Sequence, residues 1–100
     1  MTGAEPCRID VWLWRARFFK TRGLASGFVE EGRVRLFRTG QEEEVRLDKA
    51  SRTVRPGDRL VFVLGGRVVD LTIASCGERR GPASEARMLY ARADEDGAAG

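Results

Sequence analysis

The chain predicts an α+β fold: two short N-terminal helices packed on a small antiparallel sheet, with a short helix near the C-terminus. Three observations predict it. Apolar residues recur at helical spacing as far as Gly32, and they alternate after it. The turn signals Arg55-Pro56-Gly57-Asp58 and Gly65-Gly66 then divide the alternating stretch into hairpin-length pieces. A chain of 100 residues allows one domain with a modest core.

From Asp10 to Phe19, Trp12, Leu13, Ala16 and Phe19 share one side of a helix that Asp10 is placed to cap. Arg15, Phe18 and Arg22 fall on another side. Thr21 caps a second helix whose buried stripe is Leu24, Ala25, Phe28 and Val29. Gly32 suits the left-handed position that ends it. Val34 and Leu36 then alternate with Arg33 and Arg35, as on a strand with one charged face. Gly40 and Glu42-Glu43-Glu44 read as a turn and a solvated loop. Leu60 to Leu64 and Val68 to Ala74 pair across Gly65-Gly66 as a hairpin. Gly81-Pro82 starts the last helix, with Ala86, Leu89 and Tyr90 as its apolar stripe. The inner face of the sheet is expected to be Val34, Leu36, Leu60, Phe62, Val69 and Leu71, packed on Leu13, Leu24, Ala25 and Phe28. Trp12 belongs to the core, and Trp14 is expected against the sheet or the last helix. Residues 1–7 read as a flexible start, 8–93 as the domain, and 94–100 as a disordered acidic tail.

Charge is unevenly placed. The chain carries +3 overall. Between Arg8 and Arg38, however, eight basic residues face only Asp10, Glu30 and Glu31, so that third is +5 and the remainder −2. The same segment is aromatic: Trp12, Trp14, Phe18 and Phe19 interleave with Arg15, Arg17, Lys20 and Arg22. Guanidinium groups beside flat apolar faces suit a polyanion with bases. Arg8, Lys20 and Arg22 are expected to lie together without a local acid, which leaves a self-repelling cluster for an external anion to relieve. Thr21 can cap its helix while the free amides there face a phosphate.

Other classes find little support. No apolar run reaches the ~20 residues of a membrane span, and the amino terminus carries no secretory pattern. With no His and no closely spaced Cys pair, a standard zinc site is not expected, nor any cofactor. Cys7 and Cys76 read as unpaired cytosolic thiols that the fold does not need. No phosphate loop or cleft of carboxylates suggests catalysis.

Arg8-Ile9-Asp10, Leu13, Thr21-Arg22, Ala25, Gly32-Arg33-Val34 and Gly57-Asp58 resemble the RNA-binding domain named after the fourth small-subunit ribosomal protein, the S-four domain. Trp12-Leu13-Trp14, the run from Arg17 to Arg22, and Arg80 through Ala86 resemble the fifteen-kilodalton heat-shock protein family and its ribosome-quality-control relatives. The likeness runs from Arg8 to about Arg92. It departs at Val11, where Lys is common, and at Phe37-Arg38-Thr39-Gly40, where Asn-Gly is usual. Asp94-Glu95-Asp96 stands where longer members continue into a basic extension.

The resemblance implies a non-catalytic, cytoplasmic bacterial protein of the stress response that binds structured RNA. The RNA implied is ribosomal, on large subunits stalled with a nascent chain, with nascent-chain tRNA or a ribosome-associated factor as further partners. A monomer is expected, with the helix pair forming the RNA-binding motif. Carried onto this chain, the site is Arg8, Lys20 and Arg22 at the centre, with Arg17, Thr21, Arg33 and Arg35 around it. Two alternatives remain open at this point: a protein-interaction module using the aromatic helix face, and an RNA-delivery subunit for a separate RNA-modifying enzyme.

Overall fold

The computed structural model describes residues 5–38 and 44–93. In chain order these form β1 (Cys7–Arg8), α1 (Ile9–Arg15), α2 (Arg22–Glu30), β2 (Val34–Phe37), β3 (Glu44–Leu47), β4 (Thr53–Val54), β5 (Arg59–Leu64), β6 (Arg67–Ile73), α3 (Ala83–Ala86), a 3-10 turn (Arg87–Leu89) and β7 (Tyr90–Arg92). An antiparallel sheet of order β3-β2-β5-β6-β7 packs under the two helices, and β1 pairs separately with β4. None of the described helices is long and apolar enough to cross a membrane.

The core follows the two periodicities. Val34, Leu36, Leu60, Phe62, Val69 and Leu71 are buried on one face of the sheet, in one cluster with Leu13, Ala25 and Phe28. Leu24 departs from the expected stripe and is 57% exposed. At 100° per residue it lies roughly a quarter-turn from the centre of Ala25, Phe28 and Val29, too far round to reach the sheet.

Helix α1 is shorter than its sequence suggests. It stops at Arg15, because the Phe18 amide bonds the Leu13 carbonyl at 3.0 Å and the Arg17 amide bonds that of Trp14 at 3.1 Å. This is a Schellman closure, and Arg17 occupies its left-handed position at φ 66°. Phe18 and Phe19 then fold back onto Phe62, Tyr90 and Phe28 as ring partners. Nor does Asp10 cap the helix. Arg8 holds that position without a side-chain bond, and the Ile9 and Asp10 amides reach the carbonyls of Arg52 and Ala50. Thr21 does cap α2, accepting from the Leu24 amide at 3.1 Å, and Gly32 ends that helix region at φ 76°.

The C-terminal part differs most. After the single turn of α3 and the 3-10 turn, Tyr90 is a strand residue paired with Ile73, so it and Arg92 do not lie on a helix. The pairing closes the edge of β6, and it also sets the Tyr90 ring against Trp12 and Phe18. A continued helix could not do both. Strand β3 begins at Glu44, within the stretch read as loop; its alternation buries Leu47. Gly40, Glu42, Glu43 and the two chain ends lie outside the described residues.

One expectation is overturned outright. Cys7 and Cys76 are not free thiols; they form a disulfide, with Cα atoms 6.1 Å apart. Sixty-nine residues separate them in sequence, but the β1–β4 pairing carries Cys7 to the segment after β6. Cys7, assigned from sequence to a flexible start, is thereby tied into the fold.

Candidate nucleic-acid interface

The helix pair is assembled around one buried carboxylate. Asp10 is 2% exposed, and its oxygens accept from Arg8 Nε at 3.1 Å, Arg8 Nη2 at 3.0 Å and Ser26 Oγ at 3.0 Å. A forked pair of this kind fixes the orientation of the guanidinium as well as its place. Arg8 is therefore not a cation without an internal partner, as its sequence neighbours suggested. It is half-exposed and held at the entry to α1. Arg22 lies one helical turn before Ser26, on the same flank of α2.

The other end of α1 is held by a different device. Trp12 Nε1 donates to the Ser75 carbonyl at 2.9 Å, and Arg15 Nη1 donates to that of Gly77 at 2.8 Å. Arg17 Nε donates to the Gly81 carbonyl at 2.8 Å, and Arg80 Nε returns a bond to that of Trp14 at 3.1 Å. The Arg80 guanidinium also lies over the Trp14 ring at 5.9 Å. Trp14 thus carries Arg80, from the segment before α3, over its ring.

These bonds satisfy donors but cancel no charge, since carbonyl oxygens carry only partial charges. Among the described residues, Arg15, Arg17, Lys20, Arg22 and Arg80 form no ion pair. The last four gather where α1 turns into α2: Arg80 Nη2 reaches the Phe19 carbonyl at 3.5 Å, directly before Lys20. At the start of α2 the Arg22 and Gly23 amides have no partner among the described residues, while Leu24 is served by Thr21. Cationic side chains and outward amides thus share one surface.

A sequence profile of the S4 domain matches residues 7–36, which span β1 through α2 and into β2. The chain is 38% identical to Heat shock protein 15 of Escherichia coli (strain K12) over 87 residues, 87% of its own length and 60% of that protein's. A homolog from Haemophilus influenzae is 33% identical over 86 residues. The solved structure of Vibrio cholerae Heat Shock Protein 15, described as trimeric, superposes with a TM-score of 0.74 at 34% identity, covering 95% of this chain and 89% of that one. The chain belongs to the heat-shock protein 15 family. It spans about 60% of the length of the Escherichia coli and Haemophilus influenzae members.

Within this family member the expected site residues divide into two groups. Arg8, Arg17, Lys20, Thr21 and Arg22 lie on the helix pair and its turn. Arg35 lies on β2 of the sheet, and Arg33 directly before it. Arg33 pairs with Glu31 at 3.2 Å and covers the Phe28 ring at 4.7 Å, and Arg35 pairs with Glu44 at 3.3 Å. Both line a shallow groove of about 360 Å³ with Val61, Val63 and Val68. Sequence reasoning overlooked Arg80 as a site residue, although Arg80 through Ala86 was part of the family likeness. Its place at the helix junction depends on a contact across more than sixty residues, which no local pattern encodes.

Proposed function

We propose that this protein binds structured RNA through the α1–α2 face, without catalysis, and that its target in the cytoplasm is ribosomal RNA of the large subunit. The observation that carries the reading is the group of Arg17, Lys20, Arg22 and Arg80 at the helix junction, none of them in an ion pair among the described residues. Family membership supports it, as does the pair of outward amides beside Thr21. Arg8 adds a pre-oriented guanidinium from the Asp10 hub. Such a face reads phosphate spacing and shape, so a folded RNA suits it better than a defined base sequence. Recycling or quality control of stalled large subunits is the role this reading assigns.

The aromatic helix face is a poor surface for a partner protein. Trp12 and Phe28 are buried, Phe18 and Phe19 pack on the core, and Arg80 covers Trp14. The test is a salt series with a labelled fragment of large-subunit ribosomal RNA, alongside sedimentation with purified large subunits. Affinity should fall by orders of magnitude over a few-fold rise in salt, as phosphate contacts require. Affinity indifferent to salt, or no binding to either target, would reject the proposal.

A further inference from the structure

Cys7 stands directly before Arg8, where the chain enters α1, and Cys76 lies in the segment that holds the far end of the same helix. We propose that the Cys7–Cys76 disulfide is a thiol–disulfide exchange site, and that its oxidation state sets how firmly the RNA face is held. The inference rests on the RNA-binding reading above and adds a regulation of that face. In a reducing compartment, disulfides that form are as a rule transient, catalytic or sensing.

The pair is placed for exchange. Both cysteines line an open cavity of about 790 Å³ whose wall includes Pro6, Arg15, Gly77 and Leu89. Cys7 is half-buried and Cys76 is buried, so an incoming thiolate meets Cys7 Sγ. Arg15 is held against the Cys76 backbone. Its Nη1 donates to the Cys76 carbonyl at 3.3 Å, and its buried Nε has no partner. A cation held against the Cys76 backbone favours departure of that residue's sulfur as a thiolate, against the acids Glu5, Glu78 and Glu85 that share the cavity wall. Cys76 Sγ also lies 3.8 Å from the Val54 carbonyl oxygen, an acceptor for the thiol once it is protonated.

The reaction balances with a dithiol reductant. One thiolate of the reductant attacks Cys7 Sγ, the Cys7–Cys76 bond breaks, and Cys76 leaves as thiolate. The second thiolate of the reductant attacks its own half of the mixed disulfide, releasing Cys7 thiolate and leaving the reductant oxidised by two electrons. The two cysteine thiolates then take protons from water.

Coupling to the RNA face follows from how little else holds β1. That strand is two residues long and, among the described residues, pairs with the two residues of β4. With the covalent tie gone, residues 5–8 are free to fray as far as Ile9, whose amide stays on the Arg52 carbonyl, and the Arg8 backbone must be ordered again each time RNA binds. Preorganisation raises affinity by removing that cost. The oxidised form should therefore bind more tightly.

The experiment equilibrates the full chain across glutathione redox buffers and reads three quantities. These are the disulfide fraction by alkylation and mass spectrometry, the fold by circular dichroism, and affinity for purified large ribosomal subunits. The expected result is a folded protein at both extremes, interconverting fully, with the oxidised form binding at least about three-fold tighter. Cys7→Ser should bind like the reduced form and ignore reductant. Free thiols at every poise would overturn the proposal. So would a disulfide that dithiothreitol cannot open in the folded chain, or a reduced chain that unfolds. Equal affinity in both states would reject the switch and leave RNA binding standing, whereas no binding in either state would reject both.

Discussion

Arg8, Lys20 and Arg22, which the sequence predicts to be brought together by the helix ends, hold their charges on different terms. Arg8 is answered by Asp10, while Lys20 and Arg22 have no ion-pair partner among the described residues. Lys20→Ala with Arg22→Ala should therefore cut affinity for large-subunit RNA at least about ten-fold while moving stability by no more than about 1 kcal/mol, as for other surface changes. Arg87→Ala, on the 3-10 turn, should bind nearly as the parent does; titration of both proteins against the same RNA checks the contrast. Arg17 offers a sharper probe. Its φ of 66° suits glycine better than arginine, and its side chain contributes one bond to the Gly81 carbonyl. Arg17→Gly relieves the backbone and loses the bond, two effects of about 1 kcal/mol each and opposite in sign. Chemical denaturation should show little change, and RNA binding should weaken.

At the scale of elements, the hairpin of β5 and β6 was the most legible part of the chain. Six residue pairs, Gly65-Gly66 at the turn and alternation on both strands are all local features. Its outer face carries a forked ion pair, Arg59 Nε to Asp70 Oδ1 at 2.8 Å and Arg59 Nη2 to Asp70 Oδ2 at 2.6 Å. The hydrogen bond from Arg59 holds the Asp70 carboxyl below the usual carboxylate range. The folded chain thus binds that proton less readily than the unfolded chain. The pair's contribution is complete above the ordinary carboxylate range and is lost as pH falls through the depressed value. Because Arg59 is half-exposed, screening limits the effect to a few tenths of a kcal/mol, at most about 1. Asp70→Asn should be less stable than the parent by that amount at neutral pH. The gap should close on acidification, as paired denaturation curves at several pH values would show.

At the scale of the molecule, the disulfide joins a two-residue strand at one end of the chain to a segment 69 residues away. Loop-closure arguments put its contribution at about 4 kcal/mol, chiefly through the unfolded chain. Reduction should lower the thermal midpoint by ten degrees or more, read by calorimetry with and without dithiothreitol. The reduced fold is expected to persist at room temperature, because the core from Ile9 to Tyr90 is continuous without the sulfurs.

What the sequence determined by itself was what neighbours along the chain decide. The cap at Thr21, the left-handed Gly32, the turn at Gly57-Asp58, the hairpin, all six inner strand residues and three of their four expected helix partners, Leu13, Ala25 and Phe28, follow from periods of 3.6 and two, and from the backbone freedom of single residues. What the tertiary structure alone decided depends on contacts distant in sequence. Helix α1 ends early because Phe18 and Phe19 find more apolar surface by folding back than by continuing the helix. Tyr90 becomes a strand because the edge of β6 is open to it, and Cys7 meets Cys76 because β4 brings β1 there. The candidate site divides along the same line. Its charge was plain in the composition from Arg8 to Arg38, but which cations gather was not, since Glu44 meets Arg35 and Arg80 reaches the helix junction only when the chain closes on itself.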